Sequence, residues 1–396
     1  MEEQMKEHKR TKMALNTLLP LTIGGALLGI FIGLFIWGYS TLAEEMVHWS
    51  NNIYFEVRKN LWYIPLVMLV LVVLAFITFA MLRYVSRQGA GCGIPYAEGQ
   101  MKGMLHANGK KGIKLFFSTL VCSLCSIFAG MPLDAEGTAT KMGGIVGELS
   151  CDGLSRTKKF KSQGYERFMV TSASSAALAA SSQAPLTGIM FSLEEGHRKF
   201  SPTIFISTIS AVLFAVFTKK LMVQWTGLGE SPLFLFAQDE AFGMLPLHQI
   251  WMLVILGLVV GLASSAFAWI ADKTNDFFRD KEKTLLIRLI SIFVIVGIVG
   301  LTLTDALFSG HHVIATLLDP NQTYTWQKAL LLFCVRFILV VLAIDCKASG
   351  GLFFPMMALG GLLGFLMGQV FTFAGLDPQY VSTLAVIEIT TKVETY

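Results

Sequence analysis

Long apolar runs dominate the chain. A transmembrane helix requires about 20 mostly apolar residues. Uncharged stretches that meet or approach that length run 13–43, 61–82, 115–133, 168–193, 201–218, 241–271, 289–304 and 348–376. A further segment, 329–344, is interrupted only by Arg336. The stretches are unequal, and several carry Gly, Pro or Ser clusters near one end. This predicts broken or re-entrant helices, which are tolerated at membrane depth only where the backbone lines a cavity or is buried in protein. Two halves are indicated, one from near residue 15 and one from near residue 246. Each begins with two long spans followed by a Gly-rich turn that opens another helix. Repeated halves with matching interruptions point to a transporter-type fold with its site at the repeat interface.

Composition narrows the class. Of 396 residues, 54% are hydrophobic and 15% charged, and mean hydropathy is +0.61. Soluble domains carry about 25% charged residues, so a water-soluble domain is excluded. Disorder is excluded too, because it needs low hydrophobicity and high charge. The formal net charge of +4 is too small to suggest nucleic-acid binding. A polytopic, all-α integral membrane protein remains. Lys and Arg concentrate before residue 13, between 83 and 114, and in 152–167, whereas a loop at 44–59 mixes both signs. Cytoplasmic loops are enriched in Lys and Arg, so the N-terminus is expected in the cytoplasm and 40–60 outside. The first twelve residues are too mixed in charge for a signal peptide, and the run behind them is too long. They read as a cytoplasmic tail.

Six cysteines are present. Cys122 and Cys125 have CxxC spacing, but no second pair or His cluster completes a zinc site. They read as packing thiols on a buried helix. An enzyme using them would need an accessible thiol of low pKa, and the pair lies inside an apolar run. No enzymatic activity, cofactor or metal is expected.

Three Gly-rich breaks carry the candidate chemistry: Gly91–Pro95, Gly130–Gly137 and Ser349–Pro355. Pro95 and Pro355 suit the first turn of a helix, and glycine lets backbone approach a ligand closely. Helix N-termini present N–H groups and partial positive charge, and so attract anions. Several converging starts would form an anion site without Lys or Arg. The plain alternative for each is an ordinary turn. Glu136 follows an uncharged run and precedes a helix start. A carboxylate near membrane depth marks a functional site by default; its alternative is an interfacial acid. Glu194 and Glu195 end the run 168–193 and also read as a solvated helix end.

Taken in order, the motifs GCGIP (91–95), DAEGT (134–138) and GLFFP (351–355) resemble the GSGIP, G[KR]EGP and GxFxP signatures of the CLC chloride channels and chloride/proton antiporters. The stretches 129–147 and QAPLTGIMFSLEE (183–195) are similar too. The resemblance implies an inverted-repeat fold with re-entrant half-helices and one pore per subunit of a homodimer. It places the membrane domain at 13–387, with repeats at about 13–218 and 246–387. The second repeat reads as truncated and 388–396 as an aberrant tail. Glu136 matches the gating glutamate, and Glu195 the inner proton-transfer glutamate of antiporters. Cys92 matches a serine that donates to the central anion, with Gly93 and Ile94 opening the same helix. Leu352 and Phe353 match residues whose N–H groups hold that anion, and Ala135 and Gly137 flank the gate.

Departures from the pattern matter. A thiol is a weaker donor than a hydroxyl, and members with other residues there handle nitrate or fluoride. Ala135 replaces the basic residue of the gate motif and Thr138 its proline. Asp134 adds a carboxylate two residues from Glu136, and repulsion between them favours a protonated gate. The implied function is chloride/proton antiport in a cell membrane, with chloride, protons and lipid as partners. The rivals are a passive chloride channel and a truncated remnant that inserts without coupled transport.

Overall fold

The structure, a computed structural model, describes residues 2–154, 163–197, 201–229, 250–279, 284–318 and 324–373, with Gly375, Val381, Leu384 and Ala385. The basic residues expected at 156–161, the start of the second half at 246 and the tail 388–396 lie outside the described residues. Thirteen α-helices run through the described residues: α1 (Glu2–Lys59), α2 (Ile64–Ala80), α3 (Gly93–Met101), α4 (Gly109–Phe128), α5 (Glu136–Leu154), α6 (Gln163–Ser182), α7 (Pro185–Phe191), α8 (Pro202–Thr226), α9 (Trp251–Arg279), α10 (Leu285–Thr302), α11 (His311–Leu318), α12 (Trp326–Asp345) and α13 (Phe353–Phe373). Among the described residues, eight helical segments are long and apolar enough to cross a membrane; they lie in α1, α2, α4, α8, α9, α10, α12 and α13.

Two expectations change. The segment 44–59 is not a loop: α1 continues to Lys59. It holds no Gly or Pro to end a helix, and Tyr54 and Val57 are buried. The Tyr54 hydroxyl donates to the Ala129 carbonyl at 2.9 Å, and Arg58 donates to the carbonyls of Gly300 and Leu301. These ties hold the last turns in place. The stretch 168–193 is not one helix. It breaks at Gln183, whose φ of 54° ends α6, and α7 restarts at Pro185, a residue suited to a first helical turn.

The chain forms two compact units, which do not follow the two sequence halves. One comprises Met1–Glu45, Leu82–Val121 and Ala135–Ser231. At its centre, residues 169–182 of α6 are all buried. Small residues make this possible: a Cβ on Gly143 of α5 would lie 2.5 Å from the Ala177 Cβ, and Gly147 abuts Met169. On α1, Gly25, Gly29 and Gly33 recur every fourth residue. A Cβ at Gly29 or Gly33 would collide with the carbonyls of Ala211 or Ala215 on α8. Without a hydrophobic force between helices in lipid, such close backbone approach supplies the packing energy.

The other unit comprises Met46–Met81, Cys122–Asp134 and Pro232–Tyr396. Its main core joins Leu71 and Ala75 of α2, Met131 and Leu133, and Phe293 and Val296 of α10. A neighbouring cluster sets Ala329 and Leu332 of α12 against Leu362 and Phe365 of α13. Arg336 of α12 is fully buried. Its guanidinium donates to the carbonyls of Asp305, Leu307 and Phe308 at 3.1–3.2 Å. It thereby ties down the stretch between α10 and α11, which includes a 3-10 turn at Thr304–Ala306.

Candidate functional site

All three Gly-rich breaks open helices. In the first unit, Cys92 stands at the N-cap of α3 in extended conformation (φ −67°, ψ 138°) and its thiol makes no capping bond. Gly93 follows with its α-carbon against the Gly137 carbonyl, where any side chain would collide. The starts of α3 and α5 therefore meet backbone to backbone, and glycine alone permits it. Glu136 is the first residue of α5 and is 7% exposed. It is a buried carboxylate at a helix start. Ala135 caps that start, its carbonyl accepting from the Ala139 N–H.

Pattern reading passes over Lys141, which falls between the apolar stretches. It is 1% exposed. From α5 its ammonium donates to the carbonyls of Gln88 and Ala90 and lies 4.8 Å from the centre of the Tyr96 ring. The loop that delivers Cys92 is thus anchored to the helix that carries Glu136. The motif lacks its basic residue at Ala135, yet a buried cation stands five residues beyond Glu136. Lys219 of α8, also buried, interacts electrostatically with Glu44 and Glu136.

In the second unit, Asp134 and Gly351 pair as an antiparallel bridge, exchanging N–H···O bonds of 2.9 and 2.8 Å. The bridge sets Leu352 and Phe353 at the start of α13, whose first N–H groups, on Phe353 and Phe354, have no carbonyl within the helix to bond, whereas Pro355 has no N–H and the Met356 N–H bonds the Leu352 carbonyl. One of them, on Phe354, donates to the Asp134 Oδ2 at 2.9 Å. The His311 ring lies 4.1 Å from that of Phe354.

The inner acids occupy a π-helical turn, Ser192–His197, an irregularity frequent at functional sites. Glu195 is half-buried and Glu194 exposed. Gly196 of the turn abuts Met101 at the end of α3. His197 Nε2 is 2.9 Å from the Thr171 hydroxyl. Nearby, His106, Glu148 and Glu166 bring ligand-type atoms within 4.8 Å of one another, with His106 3.4 Å from Glu148 and 3.6 Å from Glu166. Cys122 and Cys125 are buried in α4, as packing thiols should be.

The voltage gated chloride channel family matches residues 74–390, a range that takes in the starts of α3, α5 and α13. This chain belongs to that family. The H(+)/Cl(-) exchange transporters ClcA of Salmonella arizonae and Citrobacter koseri are each 26% identical over 383 residues, covering 94% of this chain and 75% of those proteins. Among solved structures, a slow cyanobacterial Cl-/H+ antiporter aligns with a TM-score of 0.81 at 22% identity, over 93% of this chain and 84% of that one. A CLC-type fluoride/proton antiporter aligns with a TM-score of 0.70 at 19% identity, over 92% and 85%. The all-α membrane fold with re-entrant half-helices is thus the fold of the voltage gated chloride channel family. Within it, Cys92, Gly93, Ile94, Ala135, Glu136, Gly137 and Glu195 lie in the first unit, and Leu352 and Phe353 in the second.

Proposed function

We propose that this chain exchanges chloride for protons across a membrane. The observation that carries the reading is the meeting of two helix starts at Gly93 and Gly137, with a buried carboxylate, Glu136, on one of them. Converging helix N-termini favour an anion without committing a mobile cation. A carboxylate seated there is itself an anion, so it competes with chloride when ionised and yields when protonated. One side chain thereby links the two traffics. Anions bind at the starts of α3 and α5, through Cys92, Gly93, Ile94, Ala135 and Gly137, and at the start of α13, through Leu352 and Phe353. Glu195, half-buried on its π-turn, hands protons to and from the cytoplasm. The membrane domain spans 13–387, with the N-terminus in the cytoplasm of a cell membrane, and the protein works as a homodimer.

Chloride-driven proton uptake in proteoliposomes tests this. Glu136→Gln, a fixed mimic of the protonated acid, should abolish proton uptake while chloride flux persists. Glu195→Gln should do the same, with Glu194→Gln much milder. Normal proton uptake by the Glu136→Gln protein would sink the gate assignment. Chloride flux without proton movement in the parent would make it a passive channel.

A further inference from the structure

A side-chain tie at the start of α13 comes from a residue 220 positions away in sequence. Asp134 is 1% exposed. Its main chain is locked to Gly351 by two hydrogen bonds, and its Oδ2 accepts from the Phe354 N–H at 2.9 Å. The residues just before α13, Gly350 to Leu352, carry no side-chain oxygen to cap it. A helix start of this kind draws in an anion, and here the chain supplies one of its own.

We propose that the Asp134 carboxylate is a built-in anion on the start of α13, competing with the transported anion for the N–H groups there and setting how tightly that anion binds. The inference rests on the assignment of Leu352 and Phe353 as anion-binding. With the Asp134 backbone fixed, its carboxylate can leave Phe354 only by side-chain rotation, through two torsions. While it stays, the Phe354 N–H is taken. Its negative charge also sits one residue from the Phe353 N–H and two from that of Leu352, where it repels an incoming anion. The motif that 134–138 resembles begins with glycine, which could do neither. Asp134 thus acts as an internal competitor, distinct from Glu136, with a backbone anchor that keeps it at the site.

The competing explanation is a neutral structural role, a remote cap for α13. Two substitutions separate them. Asp134→Asn keeps a side-chain oxygen for the Phe354 N–H but removes the charge. Asp134→Gly removes both. Chloride binding to the purified chain is measured by titration calorimetry, and chloride flux after reconstitution. Asp134→Asn should bind chloride about tenfold more tightly, the scale of one charge removed from beside a helix start. Asp134→Gly should bind at least as tightly, and soaked bromide should appear beside the Phe354 N–H in its crystals and not in those of the parent. Unchanged chloride affinity in both variants, with only a lowered melting temperature in Asp134→Gly, would overturn the proposal and leave a cap. Absence of anion binding and flux in the parent and both variants would overturn the anion-site reading with it.

Discussion

Cys92 places a thiol at the head of α3 where a hydroxyl would donate more strongly. Most of the anion's binding then falls to backbone N–H groups. Cys92→Ser should raise chloride affinity about fivefold, the effect of one better hydrogen bond, and shift preference away from larger, softer anions in flux competition. An unchanged preference would mean that this side chain does not touch the anion. His197 is the residue to watch with pH. Burial, reinforced by the Arg167 charge, holds its pKa below the ordinary value. The folded protein therefore resists a proton that the unfolded chain accepts below about pH 6.5. This part of the stability is complete above that pH and is lost as pH falls through and below it. The melting temperature should drop between pH 7 and 5, and His197→Gln should flatten that drop. At this scale the sequence reveals residues that break a pattern. Glu136 and Glu195 stand out because they end apolar runs. Lys141 does not, because a charge between runs looks solvated until the chain folds over it, and Asp134 shows in sequence as a neighbour of Glu136 but not as the residue that bonds the start of α13.

Among elements, the breaks are legible and the ties between them are not. Gly-rich motifs open helices at 93, 136 and 353 as their spacing predicts, because glycine and an early proline leave a recognisable local signature. The continuation of α1 to Lys59 depends instead on Tyr54 and Arg58 bonding to residues far along the chain, which no local pattern encodes. Arg336 is the sharpest case. In sequence it is a lone charge interrupting a span, a functional hypothesis by default. In the fold it satisfies three carbonyls of the stretch before α11. Arg336→Met would leave the Leu307 carbonyl buried and unpaired, at about 1–3 kcal/mol, and remove the partner of the part-buried carbonyls of Asp305 and Phe308. We expect a large loss of thermal stability in detergent, with Arg336→Lys recovering part of it. A methionine variant as stable as the parent would show that water serves those carbonyls equally well.

For the whole molecule, the two sequence halves do not map onto the two packed units, because 46–81 and 122–134 leave the first half to build the core of the second unit. Apolar periodicity cannot show such an exchange, since a span reads alike whichever neighbour receives it. The proposed dimer has a candidate surface on α7 and α8, where Leu186, Leu213, Phe214 and Phe217 are exposed. Light scattering of the purified protein should give a dimer, and Leu186→Trp combined with Phe217→Trp should shift it to monomer.

The all-buried, small-residue helix α6 bears on biogenesis. It is rich in Ser and Ala and is not among the eight segments apolar enough to cross a membrane. The translocon admits segments largely by their own apolarity, so α6 is expected to enter lipid less readily than those eight. Ser181 and Ser182 bond the Leu178 carbonyl within the helix, but Ser172 finds its partner in Ser207 of α8 at 2.7 Å. We predict that insertion of α6 waits for α8, which is translated later. Nascent chains long enough for α6 but not α8 to have left the ribosome should leave α6 accessible to a water-soluble thiol reagent at an introduced cysteine, and chains long enough for α8 to have emerged as well should protect it. Equal protection in both would mean that α6 enters the bilayer unaided.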